Sequence, residues 1–277
     1  MVFLIYFLLP LTGVFVGLLS TIFGVGGGII AVPILYLLFP KISPQLVISS
    51  SMGMILINSL INTRNFIKKG KKLALPNLFI FGTGMALGVS IGVYLVNLLN
   101  PDLIKMILGI VVLLVAIKMI FGNTQQDTLR NDWKPSTNLN ERLKYFISCL
   151  VSGLIAGSTG LGGGAILVPI FITALLIPYN WVSFLSNICM GSGAIVGLLL
   201  FLSTKTTGPS PLPKVFSSLQ FNSVNFGLII LLSSGSILSS RAGVKISEKL
   251  DPKLAKRLFA TLLLIVSFKI LKDYVIF

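Results

Sequence analysis

Long apolar segments alternate with short polar stretches along almost the whole chain. Most of them approach the roughly 20 residues that an α-helix needs to cross a bilayer. The pattern predicts an all-α polytopic membrane protein with eight to ten membrane segments, and it leaves no stretch for a sizeable soluble domain. The apolar runs fall at residues 2–22, 26–39, 45–63, 74–98, 103–121, 143–160, 164–177, 181–203, 219–240 and 254–272.

A polar stretch at residues 122–142 divides these segments into two sets of five. It replaces the apolar run with acids, amides and a proline. We therefore predict one membrane domain over residues 1–277, with a first repeat at 1–121, a linker at 122–142 and a second repeat at 143–277.

The two halves share a glycine-rich break. "VGLLSTIFGVGGGIIAVPIL" from Val16 aligns with "SGLIAGSTGLGGGAILVPIF" from Ser152, and each glycine cluster is followed by Val-Pro. The last segments of the halves agree as well, since "LNPDLIKMILGIVVLLVAIK" from Leu99 parallels "LDPKLAKRLFATLLLIVSFK" from Leu250. Internal duplication is the economical explanation. We expect Pro33 and Pro169 in the first turns after the clusters, where a missing N–H costs little.

Basic residues follow different segments in the two halves. In the first half the basic loop lies between the third and fourth segments, and in the second half it lies between the fourth and fifth. If both loops are cytoplasmic, as basic loops usually are, equivalent loops of the halves face opposite sides. We therefore expect two inverted repeats, each a glycine-broken helical hairpin plus three transmembrane helices, with a cytoplasmic linker. The basic residues are Arg64, Lys68, Lys69, Lys71 and Lys72, then Arg241, Lys245, Lys249, Lys253, Lys256 and Arg257.

The glycine breaks predict a central binding site. Segments 26–39 and 164–177 would each rise only roughly 21 Å, against about 30 Å of hydrocarbon. Short, broken segments at equivalent positions of inverted halves indicate a transporter's site, and helix N-termini suit an anion. Close helix packing through small residues is the alternative. The predicted substrate-binding residues are Ser20, Thr21, Gly26, Gly27, Gly28, Ser50, Ser51, Ser158, Thr159, Gly162, Gly163, Gly164, Ser186 and Asn187.

The composition argues against several other functions. The chain is 55% hydrophobic and 10% charged, with no histidine and a net charge of +15. The basic residues lie in short loops without interleaved exposed aromatics, which disfavours nucleic acid as a partner. Cys149 and Cys189 lie in apolar segments without metal-ligand spacing, so we expect small buried residues, no metal and no cofactor. Lys118 and Lys269 are predicted to reach the membrane interface from the fifth segments.

Acidic residues are confined to loops and segment ends. A membrane enzyme is therefore disfavoured, because the chain offers neither histidine nor an acid within a span. For the same reason we expect no proton relay of the kind that proton-coupled carriers keep inside the membrane. The acids are Asp102, Asp127, Asp132, Glu141, Glu248, Asp251 and Asp273.

The motifs "FGVGGGIIAVP" and "TGLGGGAILVP", with a central polar loop between them, resemble those of the sulfite exporter TauE/SafE family, also called the TSUP family. The resemblance covers essentially the whole chain. It implies a transporter of small sulfur-containing anions (sulfite, sulfonates, sulfoacetate or thiosulfate) in the prokaryotic cytoplasmic membrane, either as exporter or as importer. An anion channel for the same substrates is the alternative, and the resemblance leaves a homo-oligomer open.

Overall fold

The structure is a computed structural model that describes residues 2–39, 42–98, 138–205 and 214–249 without interruption, with further positions at 106–136, 212 and 251–271. The predicted fifth segments, 103–121 and 254–272, are described only at scattered positions, and most of the linker, together with Lys118 and Lys269, lies outside the described residues. The described elements are α1 Val2–Phe23, α2 Gly28–Leu38, α3 Pro44–Lys68, α4 Leu75–Leu98, α5 Leu139–Thr159, α6 Gly164–Thr173, α7 Tyr179–Ser203, α8 Lys214–Ser217, β1 Gln220–Phe221, β2 Val224–Asn225 and α9 Phe226–Lys249.

Four of these helices, within the part of the chain that is described, are long and apolar enough to cross a membrane: Pro44–Lys68, Leu75–Val96, Tyr179–Ser203 and Phe226–Ile246. The predicted helical membrane protein is thus confirmed at the level of its class. By contrast, α2 has 11 residues and α6 has 10, which correspond to rises of about 16 Å and 15 Å. Neither helix can cross the hydrocarbon layer by itself.

Two pairs of helices pack together across the boundary between the two halves. The most extensive contacts join α1 to α9 and α4 to α5, so the first helix of each half packs along the fourth helix of the other. Both pairs run parallel. Gly13 lies against Leu232 and Gly243 against Thr21 in the first pair, and residue numbers likewise rise together along α4 and α5.

The equivalent helices α3 and α7 form the centre of the molecule and run antiparallel. Met52 lies against Gly197, whereas Asn62, ten positions further along α3, is hydrogen-bonded to Asn187. Both helices carry many buried polar or small residues, including three consecutive buried serines, Ser49 to Ser51. The core of this protein is therefore lined by hydroxyls and amides as well as by apolar side chains.

Basic residues gather at one end of the molecule. Gly53 of α3 lies against Ile229 of α9, and Asn62 is bonded to Ser240, so α3 and α9 run parallel and end together. The sequence prediction of two basic loops needs correction, because Arg64 and Lys68 belong to the last turns of α3, and Arg241, Lys245 and Lys249 to the last turns of α9. Basic side chains near the C-terminus of a helix interact favourably with its dipole, so they stabilise the part of α9 that extends beyond the apolar run.

Three other boundaries differ from the predicted ones. The apolar run 219–240 begins with a β-hairpin, β1 paired antiparallel with β2, and the helix starts only at Phe226. Helix α5 begins inside the predicted linker, because Asn138 caps it by accepting from the N–H of Asn140 at 3.2 Å. Pro33 and Pro169 lie beyond the first turns, at the sixth positions of α2 and α6, where proline removes an intrahelical hydrogen bond.

Candidate functional site

Each glycine cluster forms a left-handed break between two helices. Gly26 and Gly27 have φ of +80° and +83°, and Gly162 and Gly163 have +84° and +71°. Gly24 and Gly160, at the ends of the preceding helices, also have positive φ. Residues with a Cβ rarely adopt this conformation, so the sequence needs glycine to reverse the chain here. All of these glycines are buried.

The two breaks pack directly against each other. A Cβ on Gly28 would overlap the carbonyl oxygen of Gly160 and lie 2.6 Å from the carbonyl carbon of Leu161. Reciprocally, a Cβ on Gly164 would lie 2.6 Å from Cα of Val25 and 2.7 Å from the carbonyl oxygen of Gly24. The first residue of each short helix thus touches the break of the other half, backbone to backbone.

Both breaks lie beside the middle of α3. A Cβ on Gly27 would lie 3.3 Å from Cε of Met54, and a Cβ on Gly162 would lie 2.8 Å from Cδ1 of Ile55. Met54 and Ile55 are close to the midpoint of the helix Pro44–Lys68. Helices α2 and α6 therefore begin beside the middle of a helix that is long and apolar enough to span a bilayer.

The N-termini of α2 and α6 have no side-chain cap in the described structure. In each first turn the third N–H is already paired, since Ile30 donates to the carbonyl of Gly27 at 3.2 Å and Ile166 to that of Gly163 at 3.1 Å. The N–H groups before them have no partner within a helix, so water or a ligand must serve them when no side chain does. Here the first turns are buried, and two such ends meet. Together they offer peptide donors and a partial positive charge to an anion.

Two predicted serines lie against the breaks, and one of them is hydrogen-bonded there. The hydroxyl of Ser51 donates to the carbonyl of Gly160 at 2.6 Å. In the other half Ser186 lies directly against Gly24 and donates to the carbonyl of Ser183 at 3.2 Å. These serines therefore bring α3 and α7 onto the break of the opposite half, consistent with the reciprocal packing.

Ser158 and Thr159 are engaged within their own helix. Both hydroxyls donate to the carbonyl of Ile155, at 3.2 Å and 2.6 Å, and both side chains are half-buried. Thr159 also accepts from the N–H of Leu161 at 3.4 Å. In the described structure neither hydroxyl is hydrogen-bonded to another helix.

A buried amide network joins four helices. Oδ1 of Asn62 on α3 accepts from Thr21 of α1 at 2.8 Å and from Ser240 of α9 at 2.6 Å. Its Nδ2 donates to Oδ1 of Asn187 on α7 at 3.0 Å. All four side chains are completely buried. Thr21 and Asn187 were predicted from the sequence, whereas Asn62 and Ser240 were not.

Four buried side chains near the breaks have polar atoms without a hydrogen-bond partner among the described residues. They are Ser20 on α1, Ser50 and Asn58 on α3, and Ser152 on α5, whose carbonyl oxygen would lie 2.8 Å from a Cβ on Gly163. Both polar atoms of the Asn58 amide are unpaired. An unpaired buried polar group costs about 1–3 kcal/mol, so its retention calls for a ligand or water.

Asn58 and Asn62 were not predicted as site residues, although the sequence contains a signal for them. In "NSLINTRN" the amides Asn58, Asn62 and Asn65 recur at spacings of four and three, which places them on one face of a helix. Polar residues repeating with this period inside an apolar segment indicate a face directed away from lipid.

Comparison with known proteins identifies related sequences. The family described as Sulfite exporter TauE/SafE matches residues 9–270. A probable membrane transporter protein of Haemophilus influenzae is 29% identical over 95% of this chain and 94% of its own. Similar proteins in Methanocaldococcus jannaschii (25%, covering 92% and 91%) and Bacillus subtilis (YunE, 23%, covering 97% and 98%) are also named probable membrane transporter proteins. No solved structure matches the chain significantly.

Proposed function

Because the chain belongs to the TauE/SafE family of membrane transporters, we propose that it is a secondary carrier of small sulfur-containing anions such as sulfite, thiosulfate or sulfonates. The observation that carries this proposal is the meeting of two buried, uncapped helix N-termini beside the middle of α3. Such ends stabilise negative charge without a metal or a basic side chain.

We propose further that the halves are inverted repeats. An axis along the membrane normal would make the equivalent helices α3 and α7 parallel, whereas an axis in the membrane plane makes them antiparallel. The antiparallel contacts from Met52–Gly197 to Asn62–Asn187 favour the second arrangement. The reciprocal contacts of Gly28 and Gly164 with the opposite breaks support the same symmetry.

The proposed orientation puts the ends of α3 and α9 in the cytoplasm of a prokaryotic cell. It is supported by the basic residues that both ends carry, since short basic segments are retained inside. Residues 122–142 would then be cytoplasmic, and the loop after Ser203 would face outside. The sulfur-anion class rests on the family description alone, because peptide donors do not distinguish one oxyanion from another.

A carrier is preferred to a channel of the same substrate class. The relatives are named as transporters, and the two breaks are in close contact, which leaves no continuous pore between Gly28 and Leu161. The seven acids of the sequence offer no proton site inside a predicted span. An inside-negative potential would drive a monoanion outward, so we propose export or anion exchange.

Reconstitution into liposomes tests the proposed function. Purified protein is assayed for saturable uptake of sulfite, thiosulfate, sulfoacetate, taurine and sulfate, with chloride as the control. We expect saturation and acceleration by anion on the opposite side. Unitary conductance in planar bilayers would contradict the carrier and support the channel. Flux of chloride but of none of the sulfur-containing anions would contradict the proposed substrate class.

A further inference from the structure

Asn58 lies on the face of α3 that contacts the glycine breaks. Along α3, Ile55 contacts the breaks and Asn62 binds the amide network. Asn58 lies three residues after Ile55 and four residues before Asn62, so helical periodicity places all three on the same face of α3. Its side chain is completely buried, and neither its donor nor its acceptor is paired within the described structure.

Ser20 is a second buried and unpaired polar residue, on α1. Val16 would be overlapped by a Cβ on Gly27, and Thr21 donates to Asn62. Ser20 lies between these two contacts, one turn after Val16, at the level of Asn58. Its hydroxyl is likewise buried and unpaired in the described chain. Ser20 on α1 and Asn58 on α3 thus each lie, along their own helix, between a contact with the glycine breaks and a contact with the amide network.

The surroundings of Asn58 are uncharged. Among the described residues, every buried polar side chain is a serine, threonine or asparagine. The titratable groups buried on α7 are engaged elsewhere: the thiol of Cys189 lies 3.7 Å from that of Cys149, and Tyr179 donates to the carbonyl of Ile22. The cations further along these helices, Arg64 and Arg241, are exposed.

An uncharged site selects for low ligand charge. The Born cost of removing an ion from water grows with the square of its charge, so a dianion loses about four times as much as a monoanion. Peptide and amide dipoles can compensate one charge, but no buried described cation is present to compensate a second. The site therefore favours singly charged species.

The Asn58 amide adds a second criterion. Nδ2 can donate to an oxyanion, but Oδ1 needs a donor from the ligand. A fully deprotonated oxyanion would leave Oδ1 unpaired. We infer that Asn58 and Ser20 form a substrate-binding subsite for a singly charged oxyanion that also carries a hydrogen-bond donor, as hydrogen sulfite does. This inference rests on the proposed function and specifies the protonation state that is bound.

Equilibrium binding of sulfite by the purified full-length protein tests this subsite. Sulfite exchanges a proton close to neutral pH, so the ratio of monoanion to dianion can be varied. Binding is followed by ligand-induced thermal stabilisation from mildly acidic to mildly alkaline pH, which avoids leakage of the neutral form across liposomes. Methanesulfonate, a monoanion without a donor, and sulfate, a dianion, are compared.

We expect the Kd for total sulfite to rise with pH and to stay constant when referred to hydrogen sulfite. Methanesulfonate should bind more weakly, and sulfate more weakly still. The variant Asn58→Leu should lose at least about tenfold in sulfite affinity, the value of one charge-assisted hydrogen bond, without a lower melting temperature. Asn58→Ala, which cannot overpack the site, should lose the same affinity. Asn140→Leu, at an exposed position, is the control.

The results separate this inference from the proposed function. Wild-type sulfite affinity in Asn58→Leu or Asn58→Ala would overturn the role of Asn58 while leaving the transporter intact. A Kd for total sulfite that falls with rising pH would overturn the inference that the site binds the monoanion. If the wild-type protein binds none of the three anions, this inference falls, whereas saturable liposome uptake of thiosulfate or sulfoacetate would still support the proposed function.

Discussion

The side-chain amide of Asn62 donates to that of Asn187 at 3.0 Å and thereby joins the central helices of the two halves. The bond lies at a place where α3 and α7 also meet α1 and α9 through Thr21 and Ser240. Any movement of one half against the other must break this bond or carry the four helices together. The amide network is thus the polar counterpart of the glycine contact between the halves.

Replacing Thr21 by valine tests the network. The variant Thr21→Val keeps the shape but removes the donor to Asn62, so we expect a loss of about 0.6 kcal/mol and a lower melting temperature in detergent. Thr83→Val is a matched control. Both threonines also donate to a carbonyl four residues back, at 2.7 Å and 2.6 Å, but Thr83 is exposed. An equal effect in both variants would assign the loss to the local bond.

Gly28→Ala should impair both folding and transport. Its Cβ would overlap the backbone of Gly160, which has little freedom to move, and such overpacking costs about 1–3 kcal/mol. Gly82→Ala in α4 is the matched control, because the nearest atoms to its Cβ are at 3.6 Å. Thermal stability and liposome uptake should fall in the first variant alone. Normal uptake by Gly28→Ala would show that the breaks can separate freely.

The orientation of the helices predicts which residues can be labelled from the same side. Cysteine introduced at Lys69 or Lys249 should react with an impermeant maleimide only after the cytoplasmic face is opened. Cysteine at Lys205 should react in intact cells, because α7 ends opposite to α3. All three positions are exposed. Opposite labelling of Lys69→Cys and Lys249→Cys would refute the inverted arrangement.

The energy source is tested by imposing one gradient at a time on proteoliposomes. We use a transported sulfonate, whose charge does not change near neutral pH. An electrical potential alone should drive net flux, because it supplies about 2.3 kcal/mol per charge per 100 mV. An obligatory exchanger of equally charged anions would instead show no net flux. A pH gradient with the potential clamped should drive none. Accumulation under the pH gradient would show proton coupling.

The helices, the two breaks and the family could be predicted from the sequence because they depend on local chemistry. Apolar runs specify the spans, and only glycine supplies the positive φ that Gly26 and Gly162 adopt. The family motif is also local, and the match over residues 9–270 confirms the predicted relationship. The predicted binding roles remain proposals.

The network and the unpaired amide were not predicted because they depend on contacts between distant segments. Asn62 meets Thr21, Asn187 and Ser240 only after four helices have assembled, and the sequence contains no register between them. Nor does it reveal that Gly27 lies tightly against Val16. A bulky substitution at Gly27 would therefore disturb folding, and Asn58 is the better position for separating binding from stability.

The pairing of α1 with α9 and of α4 with α5 has a consequence for biosynthesis. When α4 emerges from the ribosome its partner α5 follows after the linker, whereas α1 must wait until α9 has been translated. During that interval the groove at Gly13 and Gly17, which later receives α9, faces lipid or the insertion machinery. Helix α1 therefore completes its packing only after Phe226–Lys249 has been made, and a chain truncated before Phe226 would leave α1 without its partner.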